Sequence, residues 1–188
     1  MAGSTRDGEE TLLLAALAQA TLPADALLLI VPRHPQRFDA VAELLGQRGL
    51  KFVRRSGGQP VPQDVPIVLG DTMGEMLAYF AASDVAFIGG SLLPLGGQNL
   101  IEPLAVGTPV LIGPSTFNFA EVARDALARG AAWQGADAAA IIAAVGDLLR
   151  DPERRARMRD AGLELLAVHR GATGRTLDWL VARIAAHE

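Results

Sequence analysis

The sequence contains no cysteine, which excludes disulfides and thiolate-bound metal at once. Its three histidines, His34, His169 and His187, lie far apart and offer no pair at metal-ligand spacing. Aromatic residues make up only 5% of the chain while hydrophobic residues make up 50%, so the core must be mainly Ala, Leu, Val and Ile. Basic residues are in no excess: 17 Lys and Arg stand against 21 Asp and Glu, a net charge of −4. A nucleic-acid footprint normally shows as a basic surplus, so that class of partner is not expected. Nothing approaches the run of ~18 apolar residues that a membrane span needs, and no signal peptide is seen. These absences describe a soluble, cytoplasmic domain.

What is present, over 188 residues, is enough chain for one domain with a sizeable core. Short apolar runs recur: "LLLIV" from Leu27 to Val31, "PIVLG" at 66–70, "DVAFIGG" at 84–90 and "TPVLIGP" at 108–114. Helical patterns fall between and around them, over Glu9–Ala20, Gln36–Gln47, Gly74–Ala82 and Phe119–Ala128. Buried strands alternating with helices predict βαβ units and a parallel sheet, hence a doubly wound, Rossmann-like α/β fold over residues 1–188. From Ala136 onward the pattern is helical only, with a charged helix after Asp151-Pro152 and an amphipathic one over Thr176–Ala186. The stretch "RRSGGQPVPQDVP", 54–66, reads as a surface connection. The opening "AGSTRDGEE" reads as a tight polar turn with no strand before it, which predicts a sheet short of one strand and a chain cut from a longer one.

Ligands of open parallel sheets bind beyond the carboxyl ends of the strands, so the turns that follow strands carry the candidate chemistry. Four stand out: Gly3-Ser4-Thr5, residues 32–37 ("PRHPQR"), residues 71–75 ("DTMGE"), and Gly90 through Glu102. The last belongs to the stretch Gly89–Pro114, which holds six glycines, four of them in the pairs Gly89-Gly90 and Gly96-Gly97. Such pairs beside apolar elements predict close backbone approach to something. A helix expected to start near Asn99 would offer free N–H groups and its dipole to a phosphate. Asn99 and Glu102, three apart, share one face there, either to hold a ribose diol or to form a capping box. Arg33, His34 and Arg37 either meet phosphate or carboxylate, or form a solvated basic turn. Ser4 and Thr5 either bond an anion or cap the first helix. Phe117-Asn118-Phe119 reads as packing.

Taken together, the order G-G-x-N-x-x-E-P followed by x-G-x-P-V resembles the nucleotide-binding, C-terminal half of GT-B glycosyltransferases. More narrowly, "PRHPQRF", "MGEM", "GGQNLIEPLAVGTPVLIGPSTFNF" and the opening "GSTRDGEE" resemble the 3-deoxy-D-manno-octulosonic acid (Kdo) transferase family. The resemblance implies a domain that binds CMP-Kdo for transfer of Kdo to the lipid A precursor. It implies nucleotide contacts at Pro32, Arg33, Met73, Gly74, Glu75, Asn99, Leu100, Ile101 and Glu102, with Glu102 on the ribose. Ser4, Thr5, His34, Arg37, Gly96, Gly97 and Gln98 are further candidates for phosphate or donor contacts. No metal or other cofactor is implied, and the sequence has no Asp-x-Asp metal signature. The family's catalytic base, acceptor surface and membrane contact at the cytoplasmic face of the inner membrane lie in an N-terminal domain outside this chain.

The chain departs from the family pattern at Arg6 and Gln98, where histidine is frequent, and at Gln36, where glutamate is. Two other readings stand beside this one. A UDP-sugar-dependent GT-B transferase or epimerase would share the same turns, and a non-catalytic Rossmann-like interaction module would leave them empty. A dinucleotide dehydrogenase is not expected, because no G-x-G-x-x-G follows a predicted strand.

Overall fold

The first strand of the sheet lies where hydropathy predicts none. The computed structural model describes residues 1–169 and 172–185, and in it Ala2–Thr5 is strand β1, at the centre of the sheet. The expectation of a polar turn without a strand is therefore corrected. The segment is only four residues of small type, too short and too weakly apolar to register as a strand. Small residues are what the site requires: a Cβ on Gly3 would come within 3.1 Å of the Phe80 ring.

The remaining strands are β2 (Leu28–Pro32), β3 (Phe52–Arg54), β4 (Ile67–Leu69), β5 (Ala86–Ile88), β6 (Val110–Ile112) and β7 (Ala132–Gln134). They pair in the order β3-β4-β2-β1-β5-β6-β7, and every pairing is parallel. The sequence reading missed β3 and β7 as well. Both are three-residue edge strands, and β3 includes Arg54, the first residue of the stretch expected to be a surface connection.

Helices α1 (Glu9–Leu17), α2 (Phe38–Gln47), α3 (Met76–Ala81), α4 (Ile101–Ala105), α5 (Ala120–Ala128) and α6 (Ala138–Arg150) link or follow the strands. Helices α7 (Pro152–His169) and α8 (Ala172–Ala185) complete the order. The end of the last predicted helix at Ala186, and His187, lie outside the described residues.

Strand periodicity of two divides the core. Ala86, Ile88, Val110 and Ile112 pack with Phe80, Leu104, Ala126 and Leu165 from α3, α4, α5 and α7. Phe87 and Leu111 pack instead with Leu13, Ile141 and Leu148 from α1 and α6. Ile30, Ile67 and Leu69 close a third cluster with Leu14, Val41 and Leu45 from α1 and α2.

The chain builds outward from β1 to one side and then returns to β5 on the other. The strand order therefore reverses between β1 and β5, and a crevice opens there at the carboxyl ends of the strands.

Candidate functional site

A cleft of about 330 Å³ occupies that crevice, at the lower end of the ~300–1,000 Å³ typical of small-molecule sites. The four predicted turns meet in it. Ser4 follows from β1, Pro32 and Arg33 from β2, Thr72, Met73 and Gly74 from β4, and Gln98, Asn99 and Glu102 from the loop after β5. Val31, Phe38, Met76, Tyr79 and Phe80, which the sequence reading did not assign to a site, also line it, and so does Phe119, which it read as packing. They supply the apolar and aromatic wall typical of small-molecule sites.

Ser4 is held unusually. Its φ is 56°, and it is the one non-glycine in the left-handed region among the described residues. A single such residue costs on the order of 1–3 kcal/mol and persists only where its surroundings enforce it. The enforcement is visible next door. The Thr5 hydroxyl donates to Glu10, and the Thr5 carbonyl accepts from the Arg33 amide at 2.9 Å and from Arg37 Nη1 at 3.3 Å. The β1–β2 register shifts between Gly3 and Thr5 as a result, and Ser4 is left facing the cleft.

Arg37 belongs to this support and not to the cleft wall. It clasps Glu10 with both Nη atoms, at 2.7 and 2.9 Å, and reaches Asp7 at 3.2 Å. The hydrogen bond to Glu10 raises the guanidinium above its already high ordinary value. Thr5 is fully buried with its hydroxyl committed to Glu10. The expectation that Arg37 and Thr5 face phosphate is thus corrected: both side chains are engaged in holding the β1 turn. His34 is exposed at the start of a 3-10 turn and is not among the cleft residues.

The glycine-rich stretch also differs from expectation. Its glycines face protein. A Cβ on Gly89 would lie 2.3 Å from the Ser4 carbonyl oxygen, and one on Gly96 would lie 2.5 Å from the side chains of Phe117 and Asn118. The Gly96 amide donates to Ser115 Oγ, and the Gly97 amide donates to the Gly90 carbonyl. Close approach is real, but the partner is the neighbouring loop.

The helix expected near Asn99 begins at Ile101, as the single short turn α4. Asn99 Oδ1 accepts from the Ile101 amide at 2.9 Å, and Asn99 Nδ2 donates to Glu102 Oε1 at 3.1 Å. The Leu100 side chain is in the core and Ile101 faces outward, so neither reaches the cleft.

Arg33 is exposed at the mouth, where its Nε donates to Gln98 Oε1 at 3.2 Å. On the β4 side the Glu75 carboxylate turns away from the cleft into its own turn. It accepts from the Thr72 and Tyr79 hydroxyls, and Arg55 donates to it at 2.9 Å. The hydrogen bonds from Thr72 and Tyr79 hold the Glu75 carboxyl below its ordinary value, and burial pushes the Tyr79 phenol up. Thr72 and Glu75 belong to the turn ahead of α3 and Tyr79 to the helix itself, so the grouping is made by the turn.

The parallel sheet and the cleft at its switch point define the C-terminal domain type of a GT-B glycosyltransferase. The family of group 1 glycosyl transferases matches residues 54–164, and the chain belongs to it. Within it, the chain is 48% identical to a 3-deoxy-D-manno-octulosonic acid transferase of Bordetella pertussis, over 94% of this chain and 42% of that protein. It is 42% identical to the transferase of the same name from Haemophilus influenzae, over 96% of this chain and 43% of that one. The chain thus spans a little under half the length of these curated relatives. Among solved structures it superposes on the C-terminal CMP-Kdo binding domain of WaaA from Acinetobacter baumannii with a TM-score of 0.83 at 34% identity, covering 88% of this chain and 86% of that one. Among the described residues no helix is long and apolar enough to cross a membrane.

Proposed function

We propose that this domain binds CMP-Kdo and presents it for transfer of Kdo to the lipid A precursor, at the cytoplasmic face of the inner membrane. The observation that carries this reading is Glu102. Glu102 lines the cleft; one of its carboxylate oxygens accepts from Asn99, and the other has no hydrogen-bond partner among the described residues. A cleft carboxylate beside an anion site suits a ribose diol. The likeness to the CMP-Kdo binding domain from A. baumannii supports cytosine as the base.

In this reading the Thr72–Gly74 turn and the aromatic wall receive the base, and Glu102 takes the ribose hydroxyls. Arg33, held by Gln98, and the hydroxyl of Ser4 face the phosphate. During transfer an acceptor hydroxyl oxygen forms a bond to the anomeric carbon of Kdo while the bond from that carbon to the CMP phosphate oxygen breaks. Negative charge grows on the departing CMP, where a preplaced guanidinium stabilises it without the aid of a metal. The acceptor proton goes to a base in another domain, which also carries the lipid surface.

Calorimetry and thermal melts with CMP, UMP and AMP test the proposal. CMP at ~100 times its dissociation constant should add about 2.7 kcal/mol, with smaller effects from UMP and AMP. Equal stabilisation by UMP would favour a UDP-sugar enzyme, and no stabilisation by any nucleotide would favour an interaction module.

A further inference from the structure

Two adjacent carboxylates, Glu9 and Glu10, are buried at 0% and 1% exposure in the first turn of α1, directly behind the cleft. Glu10 is paired with Arg37. Glu9 has no cationic partner among the described residues, and three backbone amides take its place. Its Oε2 accepts from Arg6 at 2.8 Å and from Gly90 at 2.6 Å, and its Oε1 accepts from Leu92 at 3.0 Å. A buried carboxylate is tolerated only when its charge is met by donors, and here three backbone amides meet a carboxylate that sits at the N-terminus of α1.

The three amides come from two different walls of the cleft. Arg6 lies in the turn that carries Ser4, and Gly90 and Leu92 lie in the loop that carries Gln98 and Asn99. A hydrogen-bond path continues from Gly90: its carbonyl accepts from the Gly97 amide at 2.8 Å, and the Gly89 carbonyl accepts from the Gln98 amide at 2.9 Å. The Gly90 backbone therefore connects Glu9 on one side with the Gly97-Gln98 segment on the other. Its φ of 70° is the conformation that lets both of its polar groups serve in this way.

We propose that Glu9 is a positioning residue of the donor cleft, a carboxylate tether that sets the loop bearing Gln98 and Asn99 against the turn bearing Ser4. The proposal rests on the reading of this cleft as a nucleotide site. Glu9 touches no ligand and acts through Gly90. An ordinary core residue would support the sheet as a whole, whereas Glu9 bonds to nothing in the sheet interior and joins only the two loops.

The test is E9Q in the same chain, labelled for amide NMR, with CMP as the probe. Glutamine keeps the volume but turns one acceptor oxygen into a donor, so it cannot satisfy all three amides. In E9Q the amides left without an acceptor, Leu92 in one orientation of the glutamine amide or Arg6 and Gly90 in the other, should move upfield and exchange at least 10-fold faster, with Leu111 in the core unchanged. CMP affinity should fall about 10-fold or more. Wild-type CMP affinity in E9Q, unmoved Gly90 and Leu92 amides, or loss of protection spread equally through the core would each overturn the tether. A second measurement needs no variant: saturating the wild-type chain with CMP should shift the Arg6, Gly90 and Leu92 amides together. Shifts confined to one wall would overturn the proposal. Failure of the wild type to bind CMP at all would instead sink the nucleotide reading, with the amide signature of E9Q still reporting whether the tether exists.

Discussion

Asn99 meets the first amide of α4 and holds Glu102 at the same time. Its carbonyl oxygen accepts from the Ile101 amide, and its amide nitrogen donates to one oxygen of the Glu102 carboxylate. Of the two meanings that the N-x-x-E spacing left open, the capping box is not formed, because Leu100 is the N-cap residue and makes no side-chain cap bond. Asn99 meets the first helical amide instead and fixes Glu102, which lines the cleft.

Glu102→Ala should consequently weaken CMP much more than it weakens the fold. A hydrogen bond to a charged group contributes about 1.5–3 kcal/mol, or roughly 10- to 100-fold in affinity. Loss of stability should stay at about 1 kcal/mol, because the hydrogen bond from the Ile101 amide to Asn99 survives. Calorimetry with CMP and with its 2′,3′-dideoxy analogue separates the effects. The penalty should disappear for the analogue, and an equal penalty for both ligands would remove Glu102 from the ribose.

Arg37→Met should destabilise the domain strongly, because it leaves Glu10 charged and buried without its partner. Breaking such a pair costs about 3–5 kcal/mol, which corresponds to a fall of roughly 10 °C in a domain of this size. The double variant E10Q/R37M should recover a good part of the loss, since the uncompensated charge is gone. A double variant no more stable than Arg37→Met would mean that the guanidinium acts by packing alone.

Two glycine substitutions should have opposite signs. Gly89→Ala places a methyl group 2.3 Å from the Ser4 carbonyl oxygen and 2.5 Å from Thr5 Cα, both backbone atoms that cannot step aside. It should destabilise the chain by several kcal/mol and abolish nucleotide binding. Gly46 lies within α2 with open space around it. Gly46→Ala should stabilise by about 0.5–1 kcal/mol through helix propensity. Denaturant melts of both variants make the comparison.

The cluster around Glu75 predicts a response to acid. Hydrogen bonds from Thr72 and Tyr79 depress the Glu75 carboxyl from its ordinary 4.5. Its stabilising contribution is therefore complete above that value and is lost as the pH falls through the lower, folded-state value. Tyr79→Phe and Thr72→Val should each move the midpoint up toward 4.5, observed by NMR titration of the side-chain carboxyl. Unchanged midpoints in both would show that neither hydroxyl sets the carboxylate.

The sequence by itself determined the fold class and the location of the cleft. Apolar runs such as those ending at Val31 and Ile88 are buried strands because they are too hydrophobic to be anything else. In a parallel sheet the turns after them must gather at one edge. Pro32, Arg33, Met73, Gly74, Asn99 and Glu102 lie in these turns, the resemblance to the family singled them out, and all six line the cleft. Tertiary structure alone decided the rest. Strand β1 is built of Ala, Gly, Ser and Thr, and only its place between β2 and β5 makes it a strand. Arg33 and Arg37 are identical in type and four residues apart. One reaches the mouth of the cleft and the other is spent on Glu10, because α1 brings a buried carboxylate to the second and not to the first. Glu9 looks in sequence like any acidic residue in a first helical turn. Its role depends on two amides more than eighty residues away, which no local pattern encodes.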